Sequence, residues 1–376
     1  MFFTPRYIKE GRELLDAVRK GIAYRRDLIR EADLLQADEL QAELREALRQ
    51  RDAGRVAAAS DALKHFCAAR FPAVKHPMLS ENTEVFLVAI VIAMAIRTFF
   101  LQPFTIPTGS MQPTLNGIRV VKTEAPAPNI LQRVAEYAVL GRSYFEITPE
   151  VDDRVVRYWE VTKFFFFRST VIQGERQQFE ISAPASGLIE AFGLPFQKDD
   201  PHIKTLVGLP LRKGVTLSGY ADTGDHVFVN KMAYHFRKPT RGEVFVFHTQ
   251  GIMTDENRAN PNAPSQYYIK RLAGLPGDEL RIAPPLLFVN GQEAQEPGFQ
   301  RVMSAVDGYR GYGNGPAYLT APDAVYHLPE KRFFALGDNS YNSGDSRYWG
   351  TVPEDNLVGV AFIVYWPFTR HWGLIR

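Results

Sequence analysis

Ser110 lies in PFTIPTGSMQPTL, residues 103 to 115, where three prolines and a glycine hold the chain in an extended, loop-like path. A serine hydroxyl is a weak nucleophile until a neighbouring base takes its proton, so Ser110 carries chemistry only with a partner. QYYIKRLAGLPGDEL, residues 266 to 280, offers one in Lys270, which stands in a strand-like run with Tyr267, Tyr268, Ile269 and Leu272. Alternation puts Lys270 on the face opposite Ile269 and Arg271. A third segment, GDNSYNSGDSRYWG at 337 to 350, is dense in Asn, Asp, Ser and Gly. Taken singly, these segments read equally as a turn after an apolar helix, a solvated strand lysine and a polar turn.

Other chemistries are excluded more easily. No HExxH, GxxxxGK[ST] or GxSxG occurs, which removes the common metalloprotease, P-loop and hydrolase-elbow motifs. The single Cys67 excludes an intramolecular disulfide and a multi-cysteine zinc site, and no metal or cofactor is expected. With 44 Lys+Arg against 42 Asp+Glu, the chain has no electrostatic footprint for nucleic acid.

Together PTGSMQPTL, GDHVFVNK (224 to 231), YIKRLAGLPGD (268 to 278) and GDNSYNSGDSRYWG, in that order, resemble the boxes of the type I signal peptidases. These are membrane-bound serine proteases that remove signal peptides from exported proteins. The resemblance covers residues 84 to 115 and most of 224 to 366. It implies Ser110 as nucleophile and Lys270 as general base, a Ser–Lys dyad in place of Ser–His–Asp, and none of the eight histidines lies in either box. It further implies an oxyanion hole from the Ser110 N–H and the Thr108 hydroxyl, Ser343 as the residue orienting the lysine amine, and Asp345 and Arg347 as structural supports. Two positions depart from the family pattern. Thr108 stands where serine is usual, adding a methyl and a stiffer χ1. Ser340 and Tyr341 replace an Arg-containing pair, implying that one structural ion pair is missing.

A base must be neutral when it accepts the serine proton, whereas an unperturbed lysine has a pKa of ~10.4. Lowering that by ~2 units takes about 2.7 kcal/mol of differential solvation, which burial among apolar strands can supply. The implied substrates are exported preproteins cut after small residues of the Ala-x-Ala type, which require shallow pockets. Phe104 and Ile106 are candidate walls, with plain core packing as the other reading.

The elements that must position these residues follow from the length and its patterning. A chain of 376 residues calls for two or three units. Residues 1 to 80 read as a helical arm: Thr4 and Pro5 open it, Leu40, Leu44 and Leu48 recur at i, i+4, i+8, and Gly54 and Pro72 are expected breaks. Apolar residues then run from Val85 to Leu101, a stretch about 25 Å long as a helix, and a transmembrane helix is expected over 84 to 101. Lys64, Arg70 and Lys75 before it against Arg119 and Lys122 after it do not orient it. The resemblance does, with the N-terminus cytoplasmic and the catalytic domain outside a single-pass inner-membrane anchor.

Residues 102 to 115 and 224 to 376 are expected to form a mainly β catalytic domain of antiparallel sheets, from runs such as GEVFVFH (242 to 248) and GVAFIVYW (359 to 366). Residues 116 to 223 read as an inserted β-rich subdomain in which only Leu131 to Leu140 looks helical and ISAPASGLIEAF (181 to 192) looks strand-like. Phe164 to Phe167 suit either a dip into lipid or an interior strand. The expected protein is a monomer whose partners are preproteins and the lipid bilayer. The competing reading is a membrane-anchored binding protein that keeps the fold without catalysis.

Overall fold

Leucines at helical spacing need a facing apolar surface, and the N-terminal residues supply it among themselves. In the computed structural model, which describes residues 5–71, 77–163, 167–192, 210–260 and 264–375, the chain divides into two compact units, Met1–Val91 and Ile92–Arg376. In the first, helices α1 (Arg6–Arg25), α2 (Glu31–Gln50) and α3 (Ala53–Arg70) pack around Val18, Leu44, Val56 and Leu63. The break expected at Gly54 falls earlier. Arg51 takes a left-handed conformation with φ 56°, and Asp52 caps α3 by accepting from the N–H groups of Gly54 and Arg55. Capping at Asp52 places Gly54 inside the first turn. Thr4 and Pro72 lie outside the described residues.

Helix α4 (Pro77–Ala95) carries the apolar run and gives way to a π-turn over Ile96–Phe100. Of the helix expected over 84 to 101, the α-helical part ends at Ala95, the π-turn continues it to Phe100, and Leu101 already belongs to strand β1 (Leu101–Thr105). Among the described residues no helix is long and apolar enough to cross a membrane.

The described residues between 116 and 223 form two small antiparallel sheets. Strands β2 (Arg119–Lys122), β3 (Arg142–Ile147), β4 (Asp153–Lys163), β5 (Phe167–Gly174), β6 (Gln178–Ile181), β7 (Pro210–Leu211) and β8 (Leu217–Asp222) are ordered β2-β8-β3 and β6-β5-β4-β7. Helix α5 (Ile130–Leu140) is present as expected, with Asn129 as N-cap and Gly141 left-handed after its end. Ala185–Phe192 is helical, not a strand, and forms α6, burying Leu188 against Phe145, Val155 and Ile181. Residues 164 to 166 of the run read as either a lipid dip or an interior strand lie outside the described residues.

The large antiparallel sheet that follows positions the site. It joins β1, β9 (His226–Asn230), β10 (Val244–His248) and β11 (Tyr267–Gly274) to strands from the last fifty residues. A four-stranded sheet of β12 (Glu279–Ala283), β13 (Leu286–Val289), β14 (Gln292–Glu293) and β15 (Val325–His327) branches off between them. Strands β16 (Arg332–Leu336), β17 (Val352–Pro353) and β18 (Leu357–Trp366) complete the order β1-β9-β18-β10-β11-β16-β17. Two cores grip it: Ile106, Met111, Leu115, Val227 and Val246 form one, and Phe245, Phe247, Leu272 and Trp349 belong to the other. The fold is mainly antiparallel β, as the strand patterning predicts.

Candidate active site

Three chain segments far apart in sequence meet at Ser110. The serine sits in a 3₁₀ turn, Gly109–Met111, whose Met111 is fully buried and anchors the turn in the core. Gly117 allows that turn to fit: a Cβ there would stand 2.2 Å from the Thr108 carbonyl carbon. Lys270 comes from β11, paired to Phe245 of β10, and is only 6% exposed. Its Nζ lies 2.7 Å from Ser110 Oγ. The structure thus brings Ser110 and Lys270, from segments 160 residues apart in sequence, within hydrogen-bond distance of each other.

The surroundings set the amine's protonation. Burial pushes Lys270 down from the ordinary 10.5 to about 8, outweighing the upward pull of Asp345 and Asp338, while Arg347 adds to the lowering. A lysine so placed is largely neutral a little above pH 8, and a neutral amine accepts the hydrogen bond that an ammonium would donate.

The loop after β16 closes the site from above Ser110. Asn339 N–H donates to the Ser110 carbonyl at 3.0 Å, and Asn339 Nδ2 to the Gly109 carbonyl at 3.2 Å. Ser343 is buried beside Gly337, where an added Cβ would meet Ser343 Oγ at 2.1 Å and the Ser110 carbonyl at 2.6 Å. Its own Oγ is buried with no hydrogen-bond partner among the described residues. Asp345 and Arg347 form a buried ion pair at 2.7 Å, and Asp345 also accepts the Gly337 N–H at 2.9 Å.

Thr108 is exposed, and its hydroxyl lies 3.4 Å from Ser110 Oγ, a long contact that leaves it free to turn toward a ligand. Phe104 is half-buried, edge-on to Tyr267 at 5.2 Å. Ile106 is different. It packs in the core with Met111 and Leu115 at 2% exposure, so the structure places it under the site and not at its surface.

Two features escape the sequence reading. Arg271, next to Lys270 but on the opposite face, pairs with Asp338 and reaches Thr114 Oγ1 at 3.1 Å and the Gly242 carbonyl at 2.6 Å. This network ties the serine segment, the lysine strand and the closing loop together. Ser340, read as one half of a lost ion pair, instead accepts from Arg347 at 2.6 Å through both its hydroxyl and its carbonyl. Alternation predicts where Arg271 points, but nothing in the sequence predicts that Asp338 waits there.

Among the described residues no group of His, Cys, Asp and Glu could hold a metal ion. What the arrangement can do chemically is transfer a proton between a serine hydroxyl and a buried amine.

Known proteins match the same stretches. The sequence profile of the family described as "Signal peptidase, peptidase S26" matches residues 79–211 and 216–366, taking in most of the insertion that the motif reading leaves outside. Signal peptidase I of Leptolyngbya laminosa is 34% identical over 149 residues, 40% of this chain and 64% of that protein. Signal peptidase I of Pseudomonas fluorescens is 33% identical over 184 residues, 39% of this chain and 61% of the relative. The match therefore spans less than two thirds of the length of either relative. The crystal structure of a signal peptidase I from Enterococcus faecalis V583 is 28% identical and covers 33% of this chain and 97% of its own, with a TM-score of 0.25. With its profile match extending over well over half of the residues, including those around Ser110 and Lys270, the chain belongs to the signal peptidase, peptidase S26, family.

Proposed function

We propose that this chain is a membrane-anchored serine endopeptidase that removes N-terminal signal peptides from exported preproteins after small residues. The observation that carries the reading is the 2.7 Å approach of Lys270 Nζ to Ser110 Oγ in a setting that favours the neutral amine.

Ser110 Oγ attacks the scissile carbonyl carbon while neutral Lys270 takes its proton. The tetrahedral oxyanion is held by the Ser110 N–H and the Thr108 hydroxyl. Collapse breaks the C–N bond, and the Lys270 ammonium gives its proton to the departing amine. Water then enters, Lys270 accepts a proton from it, and hydrolysis of the ester returns Ser110. In this scheme Ser343 orients the amine, Asp345 and Arg347 hold the closing loop, and Phe104 forms one wall of a pocket for small side chains.

The membrane reading is supported by exposure. Val85 to Val88 and Val91, Ile92, Met94, Phe99 and Phe100 are all exposed, so helix α4 and the π-turn leave a continuous apolar surface uncovered. A contiguous surface of that kind suits lipid better than water. Residues 84 to 101 would then anchor the chain, with the arm 1 to 80 in the cytoplasm. The catalytic β-domain, 102 to 115 and 224 to 376 with its insertion 116 to 223, would lie outside.

The test is cleavage of a model preprotein by the purified full chain in detergent, with the cut located by mass spectrometry. The reading expects one cut after an Ala-x-Ala-like sequence, abolished when the residue before the cut is made Phe. Stable binding of the preprotein without cleavage would support the non-catalytic binding protein instead.

A further inference from the structure

Helix α5 of the insertion is amphipathic in the wrong sense for a water-facing element. At 100° per residue, Ile130, Leu131, Val134, Ala135 and Ala138 share one side, and Gln132, Arg133 and Glu136 occupy the other. On the polar side Glu136 meets the protein, accepting a hydrogen bond from Tyr144 of β3, while Gln132, which donates to Glu136 at 2.9 Å, and Arg133 are exposed. Only Glu136 and Leu140 are partly shielded, and no residue of the helix is buried. Ile130 is 75%, Leu131 80% and Val134 62% exposed.

This is a built element, not a frayed one. Asn129 caps its start and Gly141, at φ 65°, closes its end. Trp366 Nε1 donates to the Ala138 carbonyl and Phe368 N–H to the Val139 carbonyl, each at 2.8 Å. Trp366 ends β18, which pairs with β9, and β9 pairs with β1, the strand that leaves the apolar helix. Around that junction Phe368 and Trp372 are exposed, their rings 5.8 Å apart, and the exposed charges Arg133 and Arg370 are both basic.

We infer that the outer face of α5 lies in the membrane interface, so that the insertion supplies a second, peripheral contact with lipid beyond the anchor. Apolar helix faces flanked by aromatic rings and arginines partition into the headgroup region, where the arginines meet anionic phosphates. The inference rests on the membrane reading above for what covers this face. The geometry adds that α5 is hydrogen-bonded to β18, two strands from β1 in the large sheet, so its outer face is held in a fixed orientation on the β-domain.

The test uses the full chain with Cys67→Ser as background and single cysteines at Val134 or Val91. Each carries a fluorophore and is reconstituted into phosphatidylcholine/phosphatidylglycerol vesicles with or without doxyl-labelled lipid. The expected result is at least a twofold loss of fluorescence at both positions with doxyl lipid and protection of both from aqueous iodide. Quenching at Val91 with none at Val134 would overturn the inference and leave the anchor standing. Absence of quenching at both would remove the anchor and the inference together. Protection of Val134 without lipid quenching, accompanied by disulfide-linked dimers through Val134→Cys, would assign the face to a second copy and overturn it.

Discussion

Arg271 and Asp338 form a two-pronged ion pair, Nε to Oδ1 at 2.8 Å and Nη2 to Oδ2 at 2.6 Å, with neither side chain more than 1% exposed. Its position explains how the Ser110 segment and the Lys270 strand hold register. Asp338 also accepts from Thr114, four residues beyond Ser110, while Arg271 adjoins Lys270.

Removing one half of a buried pair leaves the other charge uncompensated. Asp338→Ala should therefore destabilise the protein by about 3–5 kcal/mol, and the paired change Arg271→Met with Asp338→Leu should cost clearly less. Denaturant unfolding in detergent micelles measures both. Equal loss in the single and double variants would mean that the pair's geometry, not charge compensation, is what matters.

The site and its scaffold are unequally legible in the sequence. Ser110 and Lys270 are singled out by the resemblance of their segments to the family's boxes, since taken singly those segments read equally as a turn and a solvated strand lysine, and alternation sets only the direction of the lysine. The strands β10 and β18 are legible because their apolar runs have no helical period. Asp338 as the partner of Arg271 is not, since which of many loop carboxylates meets a buried arginine is decided by how β16 and β11 pair. Nor is Ile106, whose burial depends on Met111 and Leu115 folding over it. The switch to strand at Leu101 is hidden for a similar reason: its pairing with Asn230 overrides local helical preference.

Lys270, lowered from 10.5 to about 8, makes both activity and stability depend on pH. The proposed mechanism needs the neutral amine, so kcat/KM should rise with pH to a plateau, with an apparent pKa near 8. Stability follows the same sign. Between about 8 and 10.5 the unfolded chain binds the lysine proton and the folded one does not, so unfolding becomes costlier as pH rises through that window. Lys270→Met should remove this slope, and the test is unfolding free energy against pH for both proteins. A slope unchanged by the substitution would show that other groups carry it.

Thr108 keeps the hydroxyl of the proposed oxyanion hole but adds a methyl. Thr108→Val should lower kcat by roughly 100-fold or more, as loss of one such donor does, while Thr108→Ser should stay near wild type. Steady-state kinetics on a preprotein peptide separates the outcomes. A fully active Thr108→Val variant would remove the side chain from the mechanism.

Gly337 lies against both Ser343 and the Ser110 carbonyl, so a Cβ at 2.1 and 2.6 Å from them must displace one or the other. Gly337→Ala should lower kcat by on the order of 100-fold through misplacement of the nucleophile. The kinetic split decides it: loss in KM alone would point to substrate binding instead.

The proposed activity depends most directly on the pairing of Ser110 with Lys270. Purified wild type, Ser110→Ala and Lys270→Ala should be compared on one preprotein in detergent, with far-ultraviolet circular dichroism confirming that each is folded. Both variants should lose cleavage by at least about 1,000-fold, since a nucleophile and its base act as a unit. Cleavage at the wild-type rate by either folded variant would contradict it.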